Sequence, residues 1–352
     1  MKRGTLITRC YLCLLFLLAF LAAIGLSGCG EDIPILIPGE EETATPVAPL
    51  PSESPVPPPT RPPTETPAHP TLTPTPHPPV VATATPSKEL ELALDALVNN
   101  YVVAEQFIGT VLVAKGDTIL LKKGYGMAEF THGYPNQPDT IFRLASLTKP
   151  FTALAIMMLQ EDGLLNVNDP IGMYLPEFPN GGRITIAHLL SHSSGIPSNS
   201  PIPDEDLPDN LEGLIEFIKG LPLEFSPGTD RNYSNNGYRV LGYLIETVSG
   251  QSYASFLDER VFRPLRMTRS GFYFEALPSK EIATGYWVIS PDKVKKAPGT
   301  LSELVHAAGA LYSTVGDLYL WDRALYTEKM VDQSTLDLMY SEGYGWFTSN
   351  AF

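Results

Sequence analysis

The chain has 352 residues, 43% of them hydrophobic and 18% charged, which is enough for one or two domains with a buried core. Its net charge of −15 argues against a nucleic-acid partner, because neutralising phosphates requires a basic face and acidic residues outnumber basic ones by 39 to 24. All three cysteines, Cys10, Cys13 and Cys29, lie near the start, so the rest of the chain can form neither a disulfide nor a thiolate metal site.

Residues 1–28 have the features of a secretory signal. Basic residues precede an almost unbroken apolar run over positions 11–26, which is rather short for a mature membrane span. The run ends in Leu26-Ser27-Gly28-Cys29, which resembles the lipobox of bacterial lipoproteins, whose cysteine receives a diacylglycerol. We therefore expect lipid attachment at Cys29 and a location on the extracytoplasmic face of the cell membrane. An ordinary signal peptide or an uncleaved anchor is the alternative.

Residues 29–87 are predicted to be a disordered linker. Positions 31–87 contain 18 of the 34 prolines and ten threonines, and such a segment has too few apolar side chains to form a core. Extended at about 3.1 Å per residue, it would reach at most roughly 180 Å. It is either a stalk through a cell-wall layer or a spacer without a dedicated role.

From residue 88 onward the pattern becomes globular. Apolar residues recur at helical spacing over 90–101, and β-rich runs at 109–114 and 118–121 predict a hairpin. Helical patterns follow near 147–162, 185–191, 210–220, 236–249, 253–262 and 315–326, and a last strand is predicted at 344–348. This order predicts a mixed α/β domain over residues 88–352 with a helical insertion.

The first chemical signal is Ser146-Leu147-Thr148-Lys149. Pro150 follows, and because proline is tolerated only in the first turn of a helix, the helix must begin within about four residues before it. Ser146 is therefore expected at a helix N-terminus, with Lys149 one turn later on the same face, where its amine can take the serine proton. A second serine-x-x-lysine, at Ser290 and Lys293, has no apolar helix after it and is predicted to be a solvated loop.

The second signal is Tyr233-Ser234-Asn235, between a turn at 226–229 and a helical run at 238–248. A phenol and an amide two residues apart on an extended segment can point the same way, one for proton transfer and one for hydrogen bonding.

A possible metal pair is also visible in the sequence. His188 and His192 have the spacing of two zinc ligands on a helix. Leu189 follows the first histidine, where a glutamate would be expected, and no third ligand is apparent. No metal site is therefore predicted.

Together these segments resemble the β-lactamase-related serine hydrolases, which include class C β-lactamases, D-alanyl-D-alanine carboxypeptidases and esterases. The resemblance covers about residues 88–348 and is carried by segments 142–153, 188–196, 225–238, 261–267 and 308–314, in family order. It implies an antiparallel sheet flanked by helices with an all-helical subdomain, the β-lactamase/transpeptidase-like form of the α/β (α+β) class. It also implies a monomer that needs no cofactor and forms an acyl-enzyme with a D-alanyl peptide, a β-lactam or a small ester, a small-molecule or peptidoglycan-derived substrate.

The resemblance assigns roles to four residues. Ser146 would be the nucleophile and Lys149 its activating partner. Tyr233 would be the general base and acid, and Asn235 a hydrogen-bonding group for the substrate or for Lys149. These roles agree with those expected from the residue types alone.

One family element is not found in the sequence: a Lys or His, then a small residue, then Gly, on a strand that lines the site. The chain ends at Phe352, and we expect that the C-terminal strand and helix of the catalytic domain are missing. The loss would remove one of two backbone donors from the oxyanion hole, and one such donor is typically worth about 10² to 10³ in rate. The alternative function is therefore a non-catalytic wall-binding or sensory lipoprotein on the same scaffold.

Overall fold

A computed structural model describes residues 88–198, 207–290, 293–297, 299 and 302–346. The predictions for the signal (1–28), for Cys29 and for the linker (29–87) lie outside these residues.

The helices are α1 (Lys88–Val103), α2 (Lys149–Glu161), α3 (Ile186–Leu190), α4 (Leu211–Lys219), α5 (Asn235–Ser249), α6 (Tyr253–Leu257), α7 (Arg263–Leu265), α8 (Ser302–Gly309), α9 (Val315–Ala324) and α10 (Gln333–Glu342). The strands are β1 (Gly109–Lys115), β2 (Thr118–Tyr125), β3 (Met127–Glu129), β4 (Tyr134–Pro135), β5 (Phe142–Arg143), β6 (Tyr286–Ser290), β7 (Lys293–Lys296) and β8 (Tyr312–Ser313).

An N-terminal hairpin carries the first helix. Strands β1 and β2 pair antiparallel, and Gly116 in the turn between them has a φ of 57°, a left-handed conformation that favours glycine. Asp95 of α1 accepts hydrogen bonds from Lys123 Nζ and Tyr125 Oη of β2, both at 2.8 Å, so the helix is fixed on the hairpin. The predicted helix and hairpin are both present.

Helix α2 forms the centre of the core. Every side chain from position 149 to 159 is buried, because the helix is apolar on all sides and is contacted by α5, α6, α8 and α10. Phe151 stacks on Trp321 of α9 with the ring centroids 3.9 Å apart. The helix that begins just after Ser146 is therefore held by the core along most of its length.

The other strands form short antiparallel pairs: β3 with β4, β5 with β8, and β6 with β7. The pair formed by β5 and β8 positions the site, because β5 immediately precedes the segment that contains Ser146. This combination of helices and small antiparallel sheets belongs to the predicted α/β class. Within the described ranges, no helix is long and apolar enough to cross a bilayer.

Several elements differ from the sequence-based prediction. Residues 344–346 form a turn rather than a strand, because Gly343 ends α10 in the left-handed conformation and Gly345 continues the turn at a φ of 77°; positions 347 and 348 lie outside the described residues. Ser290 and Lys293 of the second serine-x-x-lysine lie in strands rather than in the predicted loop, since Ser290 at the end of β6 pairs with Lys293 at the start of β7. Helices α8 and α10 were not predicted, and the non-helical backbone at position 306 interrupts the periodicity of α8.

Candidate active site

Ser146 lies in a 3₁₀ turn, Ala145–Thr148, that leads directly into α2. The preceding residue, Ala145, has a φ of 46°, a left-handed conformation that costs a non-glycine residue on the order of 1 to 2 kcal/mol. The turn is tied to the core because Leu144 N–H donates to Leu311 O at 2.8 Å. The half-buried Ser146 is thus at a helix N-terminus, as the position of the following proline predicted.

The Lys149 amine is surrounded by hydrogen-bond acceptors. It donates to Asn235 Oδ1 and Ala308 O, both at 2.8 Å, and to Ser146 Oγ at 3.2 Å. Lys149 is only 3% exposed, and burial, reinforced by the positive charge of Arg239, lowers its pKa from 10.5 to about 7. A large fraction of this lysine is therefore neutral at neutral pH and able to accept a proton.

Tyr233 completes the contacts of the serine hydroxyl. Its Oη lies 2.7 Å from Ser146 Oγ, and Lys149 Nζ lies 4.7 Å from the centroid of its ring. Burial raises the pKa of the phenol, and the hydrogen bond with Ser146 only partly offsets this effect. The phenol therefore keeps its proton at neutral pH and is suited to donate it.

Tyr233 and Asn235 are positioned by the start of α5. Ser234 caps this helix by accepting a hydrogen bond from Gly237 N–H at 2.9 Å. Because Tyr233 is in the extended segment before the cap and Asn235 is the first helical residue, both reach Lys149 or Ser146. The structure therefore brings together the four predicted residues Ser146, Lys149, Tyr233 and Asn235, as one hydrogen-bonded cluster.

The two histidines have separate structural tasks. His188 belongs to α3, where its Nδ1 accepts from Thr185 N–H at 3.3 Å. His192 lies beyond that helix at a φ of 62°, and its Nδ1 accepts from Ser234 N–H at 3.1 Å. Burial and then the charge of Lys149 lower the pKa of His192 to about 3, so it is a neutral acceptor. Among the residues that the structure describes, no three His, Cys, Asp or Glu side chains form a group that could hold a metal.

Two contacts of the site were not predicted. One is the Ala308 carbonyl, which accepts a hydrogen bond from Lys149. The preceding carbonyl, Ala307 O, accepts from Thr152 Oγ1 at 2.7 Å, and this contact fixes the backbone that carries Ala308 O. A backbone carbonyl has no signal of its own in the sequence. The contact between His192 and the segment around Tyr233 is the second, and the only signal for it in the sequence is the place of His192 within segment 188–196.

An open cleft of about 230 Å³ lies beside the nucleophile. Its lining includes Ser146, Asn235, Val305, Gly309 and two arginines, Arg143 and Arg239. Arg239 was also not predicted, although it lies four residues after Asn235 on α5 and therefore on the same helix face.

The relationship to known proteins agrees with this geometry. The family described as beta-lactamase matches residues 94–352. This chain belongs to the beta-lactamase family. The penicillin-binding protein PbpX of Bacillus subtilis, named as putative, is 34% identical over 267 residues, which are 74% of this chain and 66% of that protein. The chain spans between about half and two thirds of the length of the first curated relatives it matches.

Solved structures have the same fold. FmtA from Staphylococcus aureus is 27% identical with a TM-score of 0.62, and the match covers 69% of each chain. The D-amino acid amidase from Ochrobactrum anthropi SV3, complexed with L-phenylalanine amide, is 26% identical with a TM-score of 0.60, covering 71% of this chain and 73% of that one. The predicted β-lactamase/transpeptidase-like fold is confirmed.

Proposed function

We propose that this protein is a serine hydrolase that forms an acyl-enzyme at Ser146 with a D-alanyl peptide, a β-lactam or a small ester. The observation that carries the proposal is the position of Ser146 Oγ, 3.2 Å from Lys149 Nζ and 2.7 Å from Tyr233 Oη. A base and an acid are thereby each within hydrogen-bonding reach of the nucleophile. Similarity to a penicillin-binding protein and to a D-amino acid amidase supports this substrate range.

The pKa shifts of Lys149 and Tyr233 suggest which residue accepts a proton and which donates one. Neutral Lys149 takes the hydroxyl proton of Ser146 while Oγ attacks the carbonyl carbon, which forms the new C–O bond and places negative charge on the carbonyl oxygen. Tyr233 gives its phenolic proton to the leaving group as the bond from that group to the carbonyl carbon breaks. The proton on Lys149 then restores the phenol, and attack by water on the acyl-serine releases the acid and regenerates the hydroxyl.

The test is covalent labelling of the intact protein by a fluorescent penicillin and by an activated ester. We expect an adduct on the peptide that contains Ser146, and no adduct after Ser146→Ala. The chain offers a matched control, because Ser290→Ala alters the other serine-x-x-lysine, which lies on the β6–β7 hairpin. If neither reagent labels Ser146, the protein is not this hydrolase, and the non-catalytic wall-binding or sensory function takes its place.

We further propose that the hydrolase is anchored by lipid at Cys29, outside the cytoplasm, with residues 29–87 as a linker. The support is the signal-like segment that ends in Leu26-Ser27-Gly28-Cys29. Cells that express the protein should incorporate labelled palmitate into it, and Cys29→Ala should abolish incorporation. Cys13→Ala is the matched control, since Cys13 lies inside the apolar run, and it should leave labelling intact. Equal labelling of the wild type and Cys29→Ala would refute the anchor.

A further inference from the structure

The direction of the lone pair on neutral Lys149 depends on the two acceptors of its N–H bonds. Asn235 Oδ1 and Ala308 O, both 2.8 Å from Nζ, can only accept hydrogen bonds. When they take the two N–H bonds of the neutral amine, its single lone pair is left for the hydroxyl of Ser146, 3.2 Å away. The Ala308 carbonyl therefore matters to the proposed reaction because it helps to aim the base at the nucleophile.

The backbone that carries this carbonyl is kinked two residues earlier. His306 has a φ of 38° and a ψ of −136°, which interrupts α8. A non-glycine residue rarely adopts such a conformation, and it persists only where the surrounding structure holds it. Beyond the kink, two successive carbonyls accept from side chains of α2, Ala307 O from Thr152 and Ala308 O from Lys149. The kink is therefore part of how the chain brings Ala308 O to the lysine.

The His306 side chain is held by contacts on several sides. Its ring is 1% exposed and lies against the rings of Tyr253 and Phe272, with centroids 5.1 and 5.5 Å away. Nε2 lies 3.5 Å from Glu246 Oε1. Nδ1 has no hydrogen-bond partner among the described residues and lies beside Gly242. Within this part of the chain, the contact with Glu246 is thus the polar contact that fixes the orientation of the ring.

Glu246 is suited to hold the ring. Burial raises the pKa of its carboxyl, but the contact with His306 and the hydrogen bond from Tyr253 N–H at 2.7 Å outweigh burial. The pKa therefore lies below its usual value, and the group is a carboxylate at neutral pH.

The kink is fixed against the same helix that carries Asn235. Asn235, Gly242 and Glu246 recur at helical spacing on one face of α5. Gly242 permits the close approach, because a Cβ there would lie 2.5 Å from His306 Nδ1. Both acceptors of Lys149 are therefore positioned relative to α5, Asn235 Oδ1 directly and Ala308 O through His306.

We propose that His306 is a positioning residue for the general base: held by Glu246, it fixes the kink that places Ala308 O on Lys149, and so directs the lone pair of the neutral amine at Ser146. The inference rests on the proposed function, because it concerns the base of that reaction. Loss of the contact would release Ala308 O, and an N–H bond of Lys149 could then turn to Ser146 Oγ in place of the lone pair.

Two variants of similar length isolate the ring nitrogen. His306→Gln keeps an N–H near the position of Nε2, whereas His306→Met has none, and neither residue is favoured at a φ of 38°. At the pH plateau, single-turnover acylation of Ser146 should be about tenfold slower in His306→Met and within about threefold of the wild type in His306→Gln.

The decisive readout is the pKa of Lys149, followed by ¹³C NMR of its ε carbon and assigned by the loss of the resonance in Lys149→Ala. In His306→Met this pKa should fall below its value of about 7, because the ammonium form loses an acceptor. We expect a fall of about half a pH unit or more. His306→Gln should restore the value, which a role confined to stability would never have moved.

A second pair of variants approaches the same contact from α5. Glu246→Gln keeps an acceptor for His306 and should behave like the wild type. Glu246→Ala should behave like His306→Met, and the fold should tolerate it because this side chain is 26% exposed. Thr335→Val is the control for stability alone: it removes a hydrogen bond to Glu161, at the opposite end of α2 from Lys149, and should leave the pKa of Lys149 unchanged.

Three results would overturn the positioning role. They are an unchanged pKa of Lys149 in His306→Met and Glu246→Ala, a rise in place of a fall, and a His306→Gln variant displaced as far as His306→Met. Because the NMR titration needs no turnover, it tests this role separately from the reaction. If the wild type does not acylate Ser146, the hydrolase proposal fails, whereas the titration still decides whether His306 holds the Ala308 carbonyl on Lys149.

Discussion

The pH dependence of acylation provides a direct test of Lys149 as the base. Its pKa of about 7 predicts that the acylation rate rises with pH and then reaches a plateau, because only the neutral amine accepts the Ser146 proton. With this pKa, about a tenth of the amine is neutral at pH 6 and about nine tenths at pH 8, so the rate should rise roughly tenfold over that interval. A lysine with an ordinary pKa would instead give roughly a hundredfold rise with no plateau.

The assay is single-turnover acylation of Ser146 by an uncharged activated ester between pH 5.5 and 9.5, followed by intact mass. Lys149→Ala should slow acylation by orders of magnitude and remove the inflection. His192 cannot produce an inflection near pH 7, because its pKa lies at about 3. Arg239→Gln should move the midpoint to higher pH, since it removes the cation that adds to the effect of burial. A rate that keeps climbing tenfold per pH unit up to pH 9, or a midpoint that moves to lower pH in Arg239→Gln, would refute the reasoning.

Three further predictions concern stability and can be checked by denaturant unfolding. Thr152→Val should cost about 1 to 3 kcal/mol, because it leaves the Ala307 carbonyl and the Tyr253 hydroxyl without their buried partner. Gly345→Ala should cost a similar amount, about 1 to 3 kcal/mol, because the φ of 77° disfavours alanine and its Cβ would lie 2.8 Å from the backbone of α2. Between pH 7 and 10.5, Lys149 binds a proton more readily in the unfolded chain than in the folded one, so the wild type should gain stability with rising pH relative to Lys149→Met.

The parts of the fold that the sequence predicted depend on local signals. The start of α2 follows from Pro150, whose ring is accepted only in the first helical turn. The end of α5 follows from Gly250, which adopts the left-handed conformation at a φ of 71°. The elements that were wrongly predicted or missed, such as the turn at 344–346 and helix α8, depend on how the chain packs rather than on periodicity.

The site was predictable to the extent that side-chain types reveal chemistry. A serine, a lysine and a tyrosine can be proposed as a catalytic group from the sequence, and the family resemblance supplied their roles. The Ala308 carbonyl could not be proposed in this way, because it lies 159 residues from Lys149 in the sequence and any residue type can provide it. The arginine-lined cleft is likewise visible only when α5 and α8 pack together.

The position of the Tyr233 phenol depends on His192, and this dependence can be tested separately from proton transfer. His192 holds the segment on both sides of the tyrosine: its carbonyl accepts from Asn232 N–H at 3.0 Å and its Nδ1 accepts from Ser234 N–H at 3.1 Å. Its ring also lies 4.6 Å from the ring of Tyr233. His192→Ala removes the side-chain acceptor and strains the backbone at a φ of 62°. We therefore expect acylation to be about tenfold slower at the pH plateau, a change in activation free energy comparable to the loss of one hydrogen bond.

His192→Asn is the informative partner of this variant. Asparagine tolerates the left-handed conformation and its amide oxygen can accept from Ser234 N–H, so it should recover much of the rate. In both variants the midpoint of the pH profile should stay near 7, because His192 is neutral throughout that range and positions Tyr233 without exchanging a proton. A midpoint that moves by a full pH unit away from 7, or an asparagine variant as slow as the alanine one, would show that His192 acts by a route other than holding the segment in place.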